Sequence, residues 1–208
     1  MTQFGPVTWL GHASFRIDDT PGRVYIDPWK LPSGAPPADL ILVTHAHYDH
    51  FSPEDLHRIR TPRTFVCCTA DVAAALDGSV TVVEPGQSLT VGPWSVQTIA
   101  AGNMRKEFHP LAKRWVGYVL TLSEGRTVLH TGDTDALPHH DALKVDIALL
   151  PCGGTYTMDG DEAGRLAARM SPGTAIPMHW GDIVGTRADA ETVMRHYAPT
   201  VILEPARR

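Results

Sequence analysis

The chain has 208 residues, the length of one ordinary domain of about 100–200 residues, and its 43% apolar and 20% charged content supports a packed core and excludes a disordered segment. Eighteen Lys and Arg against 23 Asp and Glu give a formal net charge of -5, without the basic footprint of a dedicated nucleic-acid module. Three Cys, two of them adjacent as Cys67-Cys68, exclude a disulfide framework and point to a reducing compartment.

The first third reads as short strands rich in β-formers, at residues 7–10, 14–17 and 23–26, with Asp18-Asp19-Thr20-Pro21-Gly22 as the turn between the last two. Residues 40–43 form a continuous apolar run, the pattern of a strand buried on both faces. Ser52-Pro53-Glu54-Asp55 opens a short helix with a capping residue, Pro at the first position and acids in the first turn. A strand at 64–67 and an Ala-rich helix at 71–76 follow.

The second half repeats the pattern. Strands are predicted at 94–99, 116–122, 127–130, 147–150, 174–178 and 201–203, and helices at 159–170 and 189–197. Three echoes run in one order. Gly22-Arg23-Val24 then Asp27 recurs as Gly125-Arg126-Thr127 then Asp133, and Asp39 before its apolar run recurs as Asp146 before the next. Thr61-Pro62-Arg63-Thr64 recurs as Ser171-Pro172-Gly173-Thr174. The expectation is an α+β, four-layer αββα sandwich: a single domain, 1–208, of two related halves at about 1–90 and 91–208.

No apolar run reaches the roughly 18 residues of a membrane helix. The start, Met1 to Pro6, lacks the basic and apolar stretches of a signal peptide, so the expected location is cytoplasmic, with no membrane partner.

Chemistry concentrates in Thr44-His45-Ala46-His47-Tyr48-Asp49-His50, directly after the buried strand. On a helix, His45 and His47 would diverge by about 200°, so a loop must bring them together. One ion held by His45 and His47, and a second approached by Asp49 and His50, satisfies that geometry.

His-x-His-x-Asp-His after an apolar strand resembles the signature of the metallo-β-lactamase fold superfamily. Trp9-Leu10-Gly11-His12-Ala13-Ser14-Phe15 resembles the opening of the branch that contains ascorbate-6-phosphate lactonase and phospholipase-D-type members. His130-Thr131-Gly132-Asp133-Thr134 and Pro177-Met178-His179-Trp180 resemble the segments that bring the bridging Asp and the last His. Residues 153–159 resemble a branch of uncharacterised metal-dependent hydrolases. The resemblance implies a first site of His45, His47 and His109, a second of Asp49, His50 and His179, and Asp133 across both. His109 either completes the first site or packs a loop, because residues 99–103 separate it from its strand. His130 reads as a support for Asp133.

Imidazole and carboxylate without thiolate suit Zn²⁺ first, with Mn²⁺, Fe²⁺ or Ni²⁺ compatible. Two divalent ions roughly 3.5–4 Å apart can share a hydroxide and polarise a substrate oxygen. Asp49 and Asp133 are the expected catalytic carboxylates, orienting that hydroxide. His12, Asn103, Tyr156 and Trp180 are candidate pocket residues, with His12 equally readable as structural. The basic pair Arg105-Lys106 would suit an anionic substrate. The implied activity is hydrolysis of a small ester, lactone or phosphodiester; nucleic acid is not the expected partner, and a homo-oligomer is compatible. The rivals are an iron-dependent oxidoreductase or dioxygenase on the same scaffold, and a metal-binding protein without catalysis.

Overall fold

The computed structural model describes residues 6–206; the reading of Met1 to Gly5 lies outside the described residues. Two six-stranded sheets form from consecutive halves of the chain. The first holds β1 (Val7–Gly11), β2 (Ser14–Asp19), β3 (Gly22–Ile26), β4 (Leu40–Val43), β5 (Phe65–Cys68) and β6 (Thr81–Val82), in that spatial order. The second runs β12 (Thr174–Met178), β11 (Ile147–Pro151), β10 (Thr127–His130), β9 (Val116–Thr121), β8 (Trp94–Ala100) and β7 (Ser88–Val91). Helices α1 (Pro53–Ile59) and α2 (Ala70–Ala73) belong to the first half, and α3 (Gly160–Met170) and α4 (Arg187–His196) to the second. The arrangement is the expected αββα sandwich, with helices flanking two mixed sheets.

The echoes become matching hydrogen bonds. In both halves an antiparallel pair, β2–β3 or β9–β10, leads into parallel strands, β4–β5 or β11–β12. Asp39 Oδ2 accepts the Arg23 N–H at 2.8 Å, and Asp146 Oδ2 accepts the Thr127 N–H at 2.8 Å. Each carboxylate ties the start of a parallel strand to its neighbour.

The strand β4 is buried on both faces. Leu40 and Leu42 join the large core that contains Phe15, Trp94 and Tyr118, while Ile41 and Val43 pack with Leu56, Ile59 and Val72 of α1 and α2. Alternation with a period of two delivers the four side chains to opposite layers. α3 begins at Asp159, whose carboxylate accepts the Glu162 N–H while Glu162 returns to the Asp159 N–H, a reciprocal cap.

Beyond end shifts of one to three residues, as at α2, found at Ala70–Ala73 where 71–76 was expected, three elements differ from expectation. Residues 201–203 form no strand: the Val201 N–H reaches Ala175 O at 2.9 Å, and pairing stops at an isolated Ala175–Thr200 bridge. The segment then crosses towards β1, where the Ala206 N–H donates to Trp9 O at 2.8 Å, without forming a ladder with either strand. The short edge strands β6 and β7 escape sequence reading because their exposed, mixed residues carry no clean alternation. Among the described residues no helix is long and apolar enough to cross a membrane.

Candidate metal centre

Strand ends from both sheets supply the site. The loop after β4 carries His45, His47, Asp49 and His50; Asp133 follows β10, and His179 follows β12. The His179 N–H donates to His12 O at 2.9 Å, and His130 Nε2 bonds Ala13 O at 2.8 Å, so the β1–β2 turn is pinned to the second sheet. His12, Asp27 and His179 lie at φ 52°, 48° and 61°, and Gly132 at 66°. Left-handed backbone at strand ends turns the chain sharply and aims side chains into the seam, at a conformational cost for the three non-glycines.

His109 arrives by a closed loop. The Asn103 N–H donates to His109 O at 2.7 Å, and Asn103 bridges Pro110, so the chain returns to the end of β8 before His109. Asn103 Oδ1 accepts the His109 N–H and lies 3.0 Å from Nδ1. The residues separating His109 from its strand are an excursion, which linear spacing cannot reveal.

Seven predicted ligands and His12 share one cluster. Donor atoms of His45, His47 and His109 lie within 4.8 Å of one another, as do those of His12, Asp49, His50 and His179, and those of His45, His50 and Asp133. Asp133 stands between the first two sets, with Oδ2 at 3.1 Å from His109 Nε2 and 3.0 Å from His179 Nε2, and Oδ1 at 3.2 Å from His50 Nε2. His45 Nε2, His50 Nε2, His109 Nε2, both His179 nitrogens and Asp133 Oδ1 are buried without a well-aligned hydrogen bond. So many orphaned donors at one point would be costly in a purely structural core. A divalent cation would satisfy them, and the donor set fits one.

Asp27 fixes which nitrogen each imidazole presents. Its Oδ1 accepts the Thr44 N–H and its Oδ2 accepts both Thr44 Oγ1–H and His50 Nδ1–H, all at 2.7 Å. The Thr44 hydroxyl has one proton, given to Asp27, so it accepts the His45 Nδ1–H at 2.9 Å. His45 and His50 therefore both turn Nε2 inward. One buried carboxylate sets a ligand in each group. Asp27 went unassigned in the sequence, although its echo with Asp133 was a signal.

Trp115 also escaped sequence reading. Its indole N–H donates to Asp71 Oδ2 at 2.6 Å, and its ring centroid lies 4.7 Å from those of His45 and His47 and 5.7 Å from that of His109. The ring backs the first three imidazoles. His130 accepts the Gly132 N–H on Nδ1 and thereby steadies the turn before Asp133.

Charge is arranged to suit a cation. Burial, reinforced by His50, pushes His45 well below the ordinary imidazole range, and burial then His109 lower His47. Burial opposes charge on His50 too, but Asp133 and Asp27 overcome it and raise His50 well above. Burial likewise resists ionisation of Asp133, yet His179 and His50 hold it well below the carboxylate range. Against burial, the bond from His12 helps to hold Asp49 at about 2, while burial lowers His12 to about 4. The three cysteines are free and buried; burial raises Cys67 to about 11 and Cys68 to about 12, and also raises Cys152. No thiolate is on offer.

A cleft of about 230 Å³ opens onto the cluster, lined by His47, Tyr48, Asp49, Phe108, His109, Asp133, Tyr156 and Ile183. Of the four candidate pocket residues, Tyr156 lines it. His12 is buried against Asp49 at 2.9 Å, Asn103 holds His109, and Trp180 donates to Pro177 O and packs on Trp9 at 4.9 Å. Tyr48, Phe108 and Ile183 went unread as pocket residues because apolar side chains on loops carry no periodic signal.

A family model described as the beta-lactamase superfamily domain matches residues 6–179. A protein of Koribacter versatilis named as a UPF0173 metal-dependent hydrolase is 32% identical over 197 residues, covering 84% of each chain. Among solved structures, a proposed metal-dependent hydrolase of Parabacteroides distasonis is similar at TM-score 0.84 and 27% identity, over 94% of this chain and 91% of that one. The diiron β-hydroxylase CmlA of Streptomyces venezuelae matches at TM-score 0.72 and 16% identity, over 98% of this chain and 53% of its own. At that identity the likeness is one of fold.

Proposed function

The chain belongs to the beta-lactamase superfamily and is a metal-dependent hydrolase, and from that premise we propose which residues hold the metal and which reaction they serve. His45, His47 and His109 form a first site, Asp49, His50 and His179 a second, and Asp133 spans the two. The ions are two divalent cations, Zn²⁺ foremost. The observation that carries this reading is the convergence of orphaned, buried donors on Asp133. When bound, such ions supply an acidified water and polarise a substrate oxygen.

The protein's own part is placement. Asp27, through Thr44 and His50, keeps Nε2 lone pairs inward, and Asn103 does the same for His109. His12 holds Asp49 by its Oδ2, leaving Oδ1 to orient the attacking water. The walls of the cleft confine a small substrate, an ester, lactone or phosphodiester, beside that carboxylate. Free cysteines suit a reducing, cytoplasmic setting.

Metal analysis of protein purified without added metal, joined to a melting curve, tests the reading. Two equivalents of Zn²⁺ are expected, and chelating both should lower the melting temperature by roughly 10–20 °C, since each ion at about 100 times its Kd contributes about 2.7 kcal/mol. Iron as the bound metal, with oxygen uptake, would favour the oxidoreductase. No metal and no stabilisation by Zn²⁺ or Mn²⁺ would favour a scaffold.

A further inference from the structure

The exposed large apolar side chains are not scattered evenly. Tyr48 is 67% exposed and Phe108 47%, and with Ile183 they rim the cleft; Phe108 and Tyr156 meet edge to face at 4.7 Å between centroids. Met104 and Leu111, also exposed, flank Phe108 on the same excursion from β8. Rings held in water at the mouth of a polar cluster keep apolar surface for an occupant to cover.

Among the described residues the same mouth offers no side-chain cation beyond the metal ligands: neither Lys nor Arg lines the cleft. Lys106, the basic residue expected to greet an anion, bonds Asp135 Oδ1 at 3.2 Å and Thr157 O, with Glu162 at 3.8 Å. Lys30 is paired with Asp182 at 3.0 Å over the Trp29 ring. Arg105 is exposed but does not line the cleft. At about 230 Å³ the space falls below the roughly 300–1,000 Å³ typical of drug-sized ligands.

We propose that the cleft selects a small carboxylic ester whose acyl group is uncharged and apolar, about the size of a phenylacetyl or hexanoyl group, seated between the Phe108–Tyr156 ring pair and Tyr48 with Ile183. This rests on the hydrolase reading above and narrows its substrate class. In the reaction, water's oxygen bonds the carbonyl carbon, the ester C–O bond breaks, and the departing alkoxide takes the proton, giving one acid and one alcohol.

The test uses the metal-loaded full chain with nitrophenyl acetate, hexanoate, phenylacetate, hemisuccinate and a bis-nitrophenyl phosphodiester. Hexanoate and phenylacetate should exceed acetate in kcat/KM by at least about tenfold, as apolar pockets discriminate by that order, and hemisuccinate should fall below acetate. Phe108→Ala should collapse the phenylacetate-to-acetate ratio through KM, whereas Phe65→Ala, an exposed ring on β5 outside the cleft, should not change it. Binding of the unreactive phenylacetamide and acetamide, followed by calorimetry, gives a readout independent of turnover. Esters cleaved without acyl preference, or hemisuccinate or the phosphodiester preferred, would overturn the proposal and leave the hydrolase reading standing. Tight phenylacetamide binding lost in Phe108→Ala, with no substrate cleaved, would support the acyl cleft and count against the reaction. Equal binding of both amides, with no turnover, would overturn it.

Discussion

Two carboxylates one ligand apart in chemistry divide the labour at the scale of single residues. Asp49 faces the cleft and is held by His12, whereas Asp27 is sealed beneath the imidazoles. Asp49→Asn is nearly isosteric but removes a charge that would offset the two proposed dications. We expect a folded protein with weakened second-site metal and turnover lowered at least about a hundredfold, near 2.7 kcal/mol of transition-state stabilisation. His57→Ala, on α1, should leave metal content and rate unchanged; full metal and full rate in Asp49→Asn would remove it from the mechanism. Asp27→Asn should act on both groups at once, because an amide turns one of three accepted bonds into a clash of donors. Metal affinity should fall about 10–100-fold at both sites, the usual cost of losing a partner behind a ligand. Loss confined to one site, in a chelator titration, would contradict the shared role of Asp27.

At the scale of elements, the site depends on how strands end. Gly132 connects β10 to Asp133 at φ 66°, and a methyl placed on it would meet Val116 O at 2.8 Å and Thr44 Cβ at 3.3 Å. Gly132→Ala should therefore cost roughly 1–3 kcal/mol in a urea melt and shift Asp133 off its partners. An unchanged midpoint with intact metal binding would show that this turn relaxes freely. The α2 helix contributes Asp71, which holds Trp115 against the first three imidazoles. Four residues of helix thus reach the site through one indole.

At the scale of the whole molecule, buried imidazoles make stability depend on pH. His140 lies away from the metal cluster, fully buried, with Nδ1 accepting the Leu137 N–H at 3.2 Å, and burial lowers it to about 3. Between that value and the unfolded 6.5 the unfolded chain binds the extra proton, so stability is fully present above pH 6.5 and declines as pH falls. From pH 6.5 to 5 the loss from this residue is roughly 2 kcal/mol. His140→Asn, whose amide oxygen can accept the same N–H, should flatten the pH dependence of the urea midpoint by that amount. Equal slopes for the two proteins would refute the assignment.

The sequence by itself determined the periodic and the contiguous. Apolar runs at β4 and β11, the Ser52 cap of α1 and the dense motif of residues 44–50 are local patterns, governed by side-chain alternation and short-range hydrogen bonds. The echoed Asp39 and Asp146 were legible for the same reason. Tertiary structure decided whatever depends on distance through space. Asp27 and Thr44 meet only because β3 pairs β4, Trp115 reaches His45 across two sheets, and the Asn103 loop folds back to deliver His109. The cleft wall was likewise hidden: whether Phe108 or Ile183 lines a cavity is set by how loops close over the seam, and Asn103 became an anchor for His109 because the loop that carries it needs one.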